Sequence, residues 1–373
     1  MAGIYIHIPF CKQACNYCDF HFSTSLKKKG ELLDALAKEL ILRKNEICEV
    51  VETIYFGGGT PSVLSTEEID RLLQVVYSHY NVIANPEITL EANPDDLSTE
   101  KIIELSKTKI NRLSIGIQSF NDKDLQLMHR AHNAEEAYQC LKIATQYFDN
   151  ISVDLIYGIP NLSTKRWLQH VQSLIDLGIP HISSYALTVE KKTTLHNLIK
   201  KGKIAPLNDE EAHEHFLALV EILNKNNYIH YEMSNFAKEG YYSRNNSAYW
   251  LGKKYIGIGP SAHSFDRKNR SWNIANNTLY IKALENDELP SEKEQLSLAD
   301  RYNEYIMTGL RTHWGVDLQK IRSDYGEDFY KYLLKNSQKY LHKEQLIIEN
   351  NQLKTTLKGK FFSDGISADL FWV

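Results

Sequence analysis

Along the first half of the chain, short apolar runs alternate with longer amphipathic stretches. Ile4 to Ile8 is apolar and β-branched, and comparable runs recur at Val51–Phe56, Glu87–Ala92, Arg112–Ile117, Ser152–Ile156 and His181–Leu187. Runs of this length, bounded by Gly, Pro and polar residues, read as strands. Between them, helical segments are predicted over Lys27–Lys44, Thr66–Tyr77, Thr99–Lys107, Ala134–Phe148 and Thr164–Leu177. Strands alternating with helices predict a parallel sheet with right-handed crossovers. The economical form is α/β: a partial (β/α)6 barrel of TIM type. Active sites of such folds lie at the C-terminal strand ends. The unusual residues collect there: Gly57–Thr60, Glu91 to Pro94, Gln118-Ser119, Asp154 with Tyr157-Gly158, and Tyr185-Ala186.

The pattern changes after residue 207, so residues 1–207 are expected to form the barrel. Residues 208–291 form a connecting segment, beginning with an amphipathic helix over Glu210–Asn226 and a short strand around Ile229–Met233. Aromatic and amide residues follow: Tyr241-Tyr242, Arg244-Asn245-Asn246-Ser247-Ala248-Tyr249-Trp250, then Tyr255 to Phe265. Aromatic faces beside an Arg suit a flat anionic ligand, and they suit equally a packed cover over the barrel mouth. Residues 292–373 read as a mostly helical accessory domain. Helices over Ser297–Leu310 and Asp328–Tyr340, and strand-like pieces flanking Asn350-Asn351, give it the order of a winged helix.

Composition narrows the class. The 373 residues are 43% hydrophobic and 24% charged, with a net charge of −4, which fits a globular protein and argues against nucleic acid as the main partner. No run is apolar enough for a membrane span and none reads as a signal peptide, so a cytoplasmic, reducing location is expected. Cys48 and Cys140 stand alone in helical-looking stretches and read as ordinary buried thiols.

Three of the five cysteines, Cys11, Cys15 and Cys18, fall within eight positions as C-x3-C-x2-C, directly after the first strand. Three thiolates cannot pair off among themselves, but they can converge on an iron–sulfur cluster. Such clusters usually take four cysteines, so one iron would be open to a non-protein ligand. Gly57, Gly58 and Gly59 lack a Cβ, which would let backbone approach a ligand closely. Glu91 and Asp154 close otherwise apolar strands, where a carboxylate needs a partner, a ligand or water.

The cysteine spacing, with Tyr17 before the last cysteine, resembles the radical SAM superfamily. That resemblance implies a [4Fe-4S] cluster whose open iron binds S-adenosyl-L-methionine. Further motifs narrow it: Tyr5 to Cys11, Ile54 to Ser62, Glu91 to Pro94, Gly116 to Ser119 and Asp154 to Pro160 are similar to the oxygen-independent coproporphyrinogen III oxidase family. Carried over by position, Cys11, Cys15 and Cys18 match the cluster ligands. Tyr5, Tyr17, Gly58, Gly59, Thr60, Glu91, Gln118, Arg130, Asp154 and Ala186 match the S-adenosylmethionine contacts. Two features favour the family's haem-chaperone branch over its decarboxylating oxidases: only ten residues precede Cys11, and Phe20 stands where the oxidases carry a further cysteine. That branch has an H-N-x-x-Y-W haem motif. Here Asn246, Tyr249 and Trp250 are kept, but Asn245 replaces the histidine, and His263 is the nearest histidine downstream. The resemblance implies haem as a ligand and haem-accepting respiratory proteins as partners. It also implies an electron donor such as flavodoxin or ferredoxin wherever S-adenosylmethionine is cleaved. Transient membrane contact and a homodimer stay open. The alternative is a radical enzyme, acting on coproporphyrinogen or on another substrate.

Overall fold

The computed structural model describes residues 1–373. Six strands lie side by side in chain order, each neighbouring pair parallel: β1 (Ala2–Ile8), β2 (Val51–Gly58), β3 (Val82–Ala92), β4 (Arg112–Gln118), β5 (Ile151–Tyr157) and β6 (His181–Ala186). They are connected by α1 (Lys29–Leu42), α2 (Thr66–His79), α3 (Thr99–Leu105), the pair α4 (Asp122–Met128) and α5 (Ala134–Ala144), and α6 (Thr164–Asp176). This is the expected α/β partial barrel. Most element bounds move by one or two residues. Two differences are larger: β3 begins at Val82, and α5 stops at Ala144 rather than Phe148. Helix α4 was not expected at all. Its seven residues are too few to show a helical period, and it is started by Asn121, whose side chain accepts from the Lys123 and Asp124 amides.

Successive strand side chains point to opposite faces, and here the two faces differ sharply. Ile4, Ile6, Ile8, Ile54, Phe56, Leu90, Leu113, Ile115 and Ile117 are fully buried, and they belong to one apolar core shared with the surrounding helices. The alternate positions are polar: Tyr5, Tyr55, Glu87, Thr89, Glu91, Arg112, Ser114, Ser152, Asp154, His181 and Ser183. Small barrels of this kind are typically filled by layers of branched apolar residues. This one encloses charge and hydroxyl groups instead.

The chain then extends the sheet at both flanks, giving twelve strands. After α7 (Thr194–Lys200) and α8 (Asp209–Lys225), β7 (Ile229–Glu232) and β8 (Asn235–Ala237) add antiparallel beyond β6. Helix α9 (Arg244–Trp250) leads to β9 (Lys254–Ile258), parallel to β1, and to the antiparallel β10 (His263–Phe265), β11 (Asn269–Asn273) and β12 (Ser291–Gln295). A buried polar hub fastens this flank. Glu39 of α1 accepts from Arg43 Nη1 at 2.9 Å, the Gly259 amide at 2.8 Å and Asn273 Nδ2 at 2.7 Å, while Arg43 also donates to the Gly257 carbonyl at 2.9 Å.

Past Leu296 the chain forms a second, smaller apolar core around Tyr302, Leu310, Leu333 and Leu353. Helices Leu298–Leu310 and Glu327–His342 pack with a three-stranded antiparallel sheet. Its hairpin turns at Asn350 and Asn351, both with positive φ (48° and 64°), as a tight two-residue turn requires. This part docks on the barrel through a Glu232–Thr312 bridge and a hydrogen bond from the His313 amide to the Tyr231 carbonyl at 2.9 Å. No helix is long and apolar enough to cross a membrane.

Arg43 keeps a second partner, donating to Glu46 from Nε at 3.0 Å and Nη2 at 2.8 Å, so removing Glu39 leaves unpaired chiefly the buried Gly259 amide and Asn273 side chain, at about 1–3 kcal/mol each. Glu39→Ala should destabilise the chain by that order in denaturant titration and release the β9–β11 flank first in amide exchange. A change under about 1 kcal/mol would show that the hub contributes no more than an exposed pair.

Candidate functional site

The cysteine loop leaves β1 at its C-terminal end and is clamped from both sides. The Cys11 amide donates to Ser23 at 3.1 Å, and the Asn16 amide and side chain donate to Met128 and Leu127 of α4 at 3.0 and 2.8 Å. Gln13 donates to the His129 carbonyl, and the His129 ring bonds the Ala14 carbonyl at 2.8 Å. His129 can do this because α4 ends there in a left-handed turn (φ 57°). The three sulfurs are half-buried and all five cysteines are unpaired.

Two predicted residues touch the sulfurs directly. Thr60 donates its hydroxyl to Cys11 Sγ at 3.4 Å, and Arg130 Nη1 donates to Cys15 Sγ at 3.3 Å. Arg130 Nη2 also holds Asn93 Oδ1 at 2.7 Å and the Gly116 carbonyl at 2.8 Å. Burial, with repulsion from the neighbouring Cys15 and Cys11 sulfurs, pushes the Cys18 thiol up to about 11, and burial also raises Cys11. The protein alone therefore resists three thiolates together, and bound iron would supply the missing positive charge. No three His, Cys, Asp or Glu groups converge as a single metal ion would need. Three unpaired cysteines in one clamped loop, with Thr60 and Arg130 donating to two of the sulfurs, are the donor set an iron–sulfur cluster would use.

The glycines turn out to serve the protein first. A Cβ on Gly59 would lie 2.6 Å from the Phe10 carbonyl oxygen, and one on Gly58 (φ 110°) would lie 2.5 Å from the His7 ring. Their bareness lets the end of β2 pass against the chain entering the cysteine loop. The Gly58 amide is also used, donating to Glu91 Oε2 at 3.1 Å.

Glu91 joins that loop to the barrel interior, accepting from Tyr55 at 2.7 Å, and Tyr55 stacks on Tyr5 with ring centres 6.0 Å apart. Burial, then the charge of Asp154, pushes Glu91 up to about 7, while Tyr55, Gly58 and Arg112 pull it down. Burial likewise pushes Asp154 up to about 6, against the pull of Arg112 and Arg130. Gln118 closes β4 at a bulge with φ 69°, an uncommon backbone for a non-glycine residue, its side chain beside Gly116. Tyr17 is tucked against the core beside the cysteines, and Ala186 ends β6. Of the predicted set, Thr60 and Arg130 reach the sulfurs, Gly58 and Glu91 lie one hydrogen bond further in, Gln118 and Ala186 end their strands, and Tyr5 and Asp154 sit deeper, mid-strand. Sequence reading passed over Tyr55 and Arg112, although a charge in an apolar strand was a usable signal for Arg112.

The aromatic segment lies elsewhere. It does not cover the mouth that holds the cysteines. Helix α9 sits against the N-terminal ends of β1–β3: the Arg244 and Asn245 amides donate to Glu87 at 3.0 Å each, and Thr53 donates to Asn245 Oδ1 at 3.2 Å. Asn245 is buried in that contact. Tyr249 points inward against Tyr255, ring centres 4.5 Å apart and within electrostatic reach of Glu91. Trp250 points the other way, under the Arg311 guanidinium at 5.9 Å, and lines a 570 Å³ cavity against the C-terminal part. Of the motif residues, Trp250 lines that cavity, Tyr249 packs on Tyr255, and the Asn246 amide donates to Ser243 at 3.2 Å. Arg244 spends its guanidinium on the Asn85 carbonyl, and His263 on β10 faces Trp272 rather than this cavity. Cys140 is buried as expected, but Cys48 is exposed because it falls in the turn after α1.

The radical SAM superfamily pattern matches residues 5–189, and the HemN C-terminal domain pattern matches 296–362. Fold and cysteine loop together define a radical SAM protein, a class that carries a [4Fe-4S] cluster and S-adenosylmethionine. The solved coproporphyrinogen III oxidase HemN of Escherichia coli superposes with a TM-score of 0.85, covering 99% of this chain and 90% of that one, at 21% identity, a likeness of fold. Among curated proteins, the heme chaperone HemW of Lactococcus lactis is 33% identical over 358 residues, 95% of this chain and 93% of that protein. The Bacillus subtilis heme chaperone HemW is 33% identical over 338 residues, 87% of each. The chain belongs to the HemW haem chaperone family.

Replacing Cys11, Cys15 or Cys18 by Ala should abolish a reconstituted four-iron centre by iron count and absorbance, whereas Cys48→Ser and Cys140→Ser should keep it. Gly59→Val should also lose the cluster, because the clash falls on Phe10; retention would return the glycine to a ligand-access role. Glu91 and Asp154 are raised above their ordinary 4.5 and 3.8. Their neutral forms are favoured in the fold, so their stability contribution is present at low pH and is lost as pH rises through 6 and 7. Buried histidines such as His132, His170 and His230 are lowered and act in the opposite sense, so the carboxylate's part is read as a difference: in thermal melts of the ligand-free chain, Glu91→Gln should gain stability relative to wild type as pH rises from 4.5 to 7.

Proposed function

We propose that this chain is a haem chaperone that holds a [4Fe-4S] cluster on Cys11, Cys15 and Cys18. In this reading it binds S-adenosylmethionine beside Tyr5, Tyr17, Gly58, Gly59, Thr60, Glu91, Gln118, Arg130, Asp154 and Ala186, and it hands haem to respiratory apo-proteins. The observation that carries the reading is 33% identity, over a stretch covering 95% of this chain, to a protein named heme chaperone HemW. The site agrees with it. Phe20 stands 69% exposed where the oxidases carry another cysteine. At the far end of the barrel, Trp250 offers an aromatic face to a cavity of a size usual for small-ligand sites.

The cluster, when bound, supplies electron-transfer and S-adenosylmethionine-binding chemistry. The chain's own residues shield the sulfurs, orient Cys15 through Arg130 and keep a proton on Glu91 near neutral pH. Anaerobically reconstituted protein should bind haem with a shifted Soret band and should not turn over coproporphyrinogen III. Turnover without haem binding would overturn the reading. Trp250→Ala should weaken haem binding by several-fold, since a stacked aromatic contributes about 0.5–1.5 kcal/mol beyond its buried area. Tyr249→Phe, a change inside the barrel, should leave it unchanged.

A further inference from the structure

We propose that Lys360 is a nucleophilic lysine, and that the cleft beside it is a site of N-acylation by a thioester or an acyl phosphate carrying a small uncharged acyl group. The site lies apart from the cysteine loop and from the cavity of Trp250, and it does not depend on the haem-chaperone reading. Lys360 closes a short helix, Leu357–Lys360, which follows the small sheet of the C-terminal domain. The next residue, Phe361, packs on His213 and Phe216 of α8, ring centres 4.6 and 5.9 Å apart, and so fixes this segment against the barrel's flank.

The cleft holds 370 Å³ and has apolar walls in Val220, Ile229 and Leu357, with Lys360 half-buried at its side. Lys360 Nζ reaches to His230 of β7, donating to Nδ1 at 2.9 Å and to the His230 carbonyl at 3.4 Å. The imidazole is stacked on Phe236, ring centres 4.1 Å apart, and its Nε2 faces the Met233 carbonyl at 3.1 Å. Nε2 therefore carries the hydrogen, and Nδ1 is left as an acceptor. Both partners of the ammonium are neutral. Glu232, the nearby carboxylate on β7, acts on it only from a distance, and burial outweighs that pull to lower Lys360 to about 8. His230 and His313, the other titratable neighbours, are themselves lowered by burial and stay uncharged near neutrality.

At pH 7 about a tenth of such an amine is unprotonated, against less than about a thousandth of an ordinary lysine. The free amine attacks the acyl carbonyl carbon. The C–S bond of the thioester, or the C–O bond to phosphorus of the acyl phosphate, breaks; thiolate or phosphate leaves, and the nitrogen sheds one proton to water. The amide formed has no charge to bury and keeps one N–H, which His230 Nδ1 can still accept. Its acyl group lies against Val220, Ile229 and Leu357. An aldehyde fits less well, because a neutral imine has no N–H and would strand Nδ1.

The test incubates the full chain with acetyl phosphate and, separately, with acetyl-coenzyme A, and times acetylation of each lysine by peptide mass spectrometry across a pH series. At pH 7 Lys360 should react at least about tenfold faster than the exposed Lys142 and Lys335, and its rate should level off above about pH 8 while theirs still climb. Reaction with one reagent alone identifies which donor class the cleft accepts. Leu357 is 52% exposed, so Leu357→Asp sets a carboxylate at the cleft mouth without disturbing the core. That variant should slow Lys360 several-fold and leave Lys142 and Lys335 unchanged. A Lys360 rate no greater than theirs with both reagents would overturn the proposal, and so would a fast rate that Leu357→Asp does not slow.

Discussion

One guanidinium joins the loop to the barrel. Arg130 reaches Cys15 with one nitrogen and, with another, Asn93 beyond β3 and the Gly116 carbonyl of β4. The fourteen-residue excursion between β1 and Ser23 has no helix or strand of its own, so its shape must be imposed from outside. Helix α4 supplies backbone partners and Arg130 supplies charge. The same charge that steadies a thiolate would stabilise a cluster bearing net negative charge, and it draws the adjacent strand ends into register with the loop.

That arrangement has a cost, which the barrel interior shows. Glu87, Glu91, Asp154 and Arg112 lie inside, where unpaired charge is expensive. The fold meets this by sharing: Tyr55 and the Gly58 amide bond Glu91, two backbone amides bond Glu87, and Arg112 lies near both Glu91 and Asp154. The result is a polar interior held at two ends by different means. The cysteine loop closes one end, and α9 with the C-terminal domain closes the other. Under the proposed function, the cluster and the haem cavity therefore occupy opposite ends of one barrel, and holding haem does not require it to touch the cluster.

Much of this was legible from local pattern. The alternation of apolar runs and amphipathic stretches predicted six parallel strands in chain order, because strand and helix periods act over a few residues. The cysteine triad marked the loop, and the family resemblance named Thr60 and Arg130, which reach its sulfurs. Less was legible where elements are short. Helix α4 and strands β8 to β12 hold three to seven residues each, and many of their side chains are half-exposed, so no period could build up. The glycine loop was read as an opening for a ligand, and only the packed neighbours Phe10 and His7 show that the chain itself needs the space.

By itself, then, the sequence determined the barrel, the cluster loop and the family, since each is written in contiguous residues. Tertiary structure decided where the aromatic segment goes and what it faces. In a helix, adjacent residues project about 100° apart, so Tyr249 and Trp250 must look in different directions once α9 is seated. Which direction is inward depends on Glu87 and Thr53 receiving the start of that helix. The pairing of Trp250 with His313 depends on a C-terminal domain folding back over the barrel. No spacing along the chain encodes that meeting, because it is set by how two apolar cores pack.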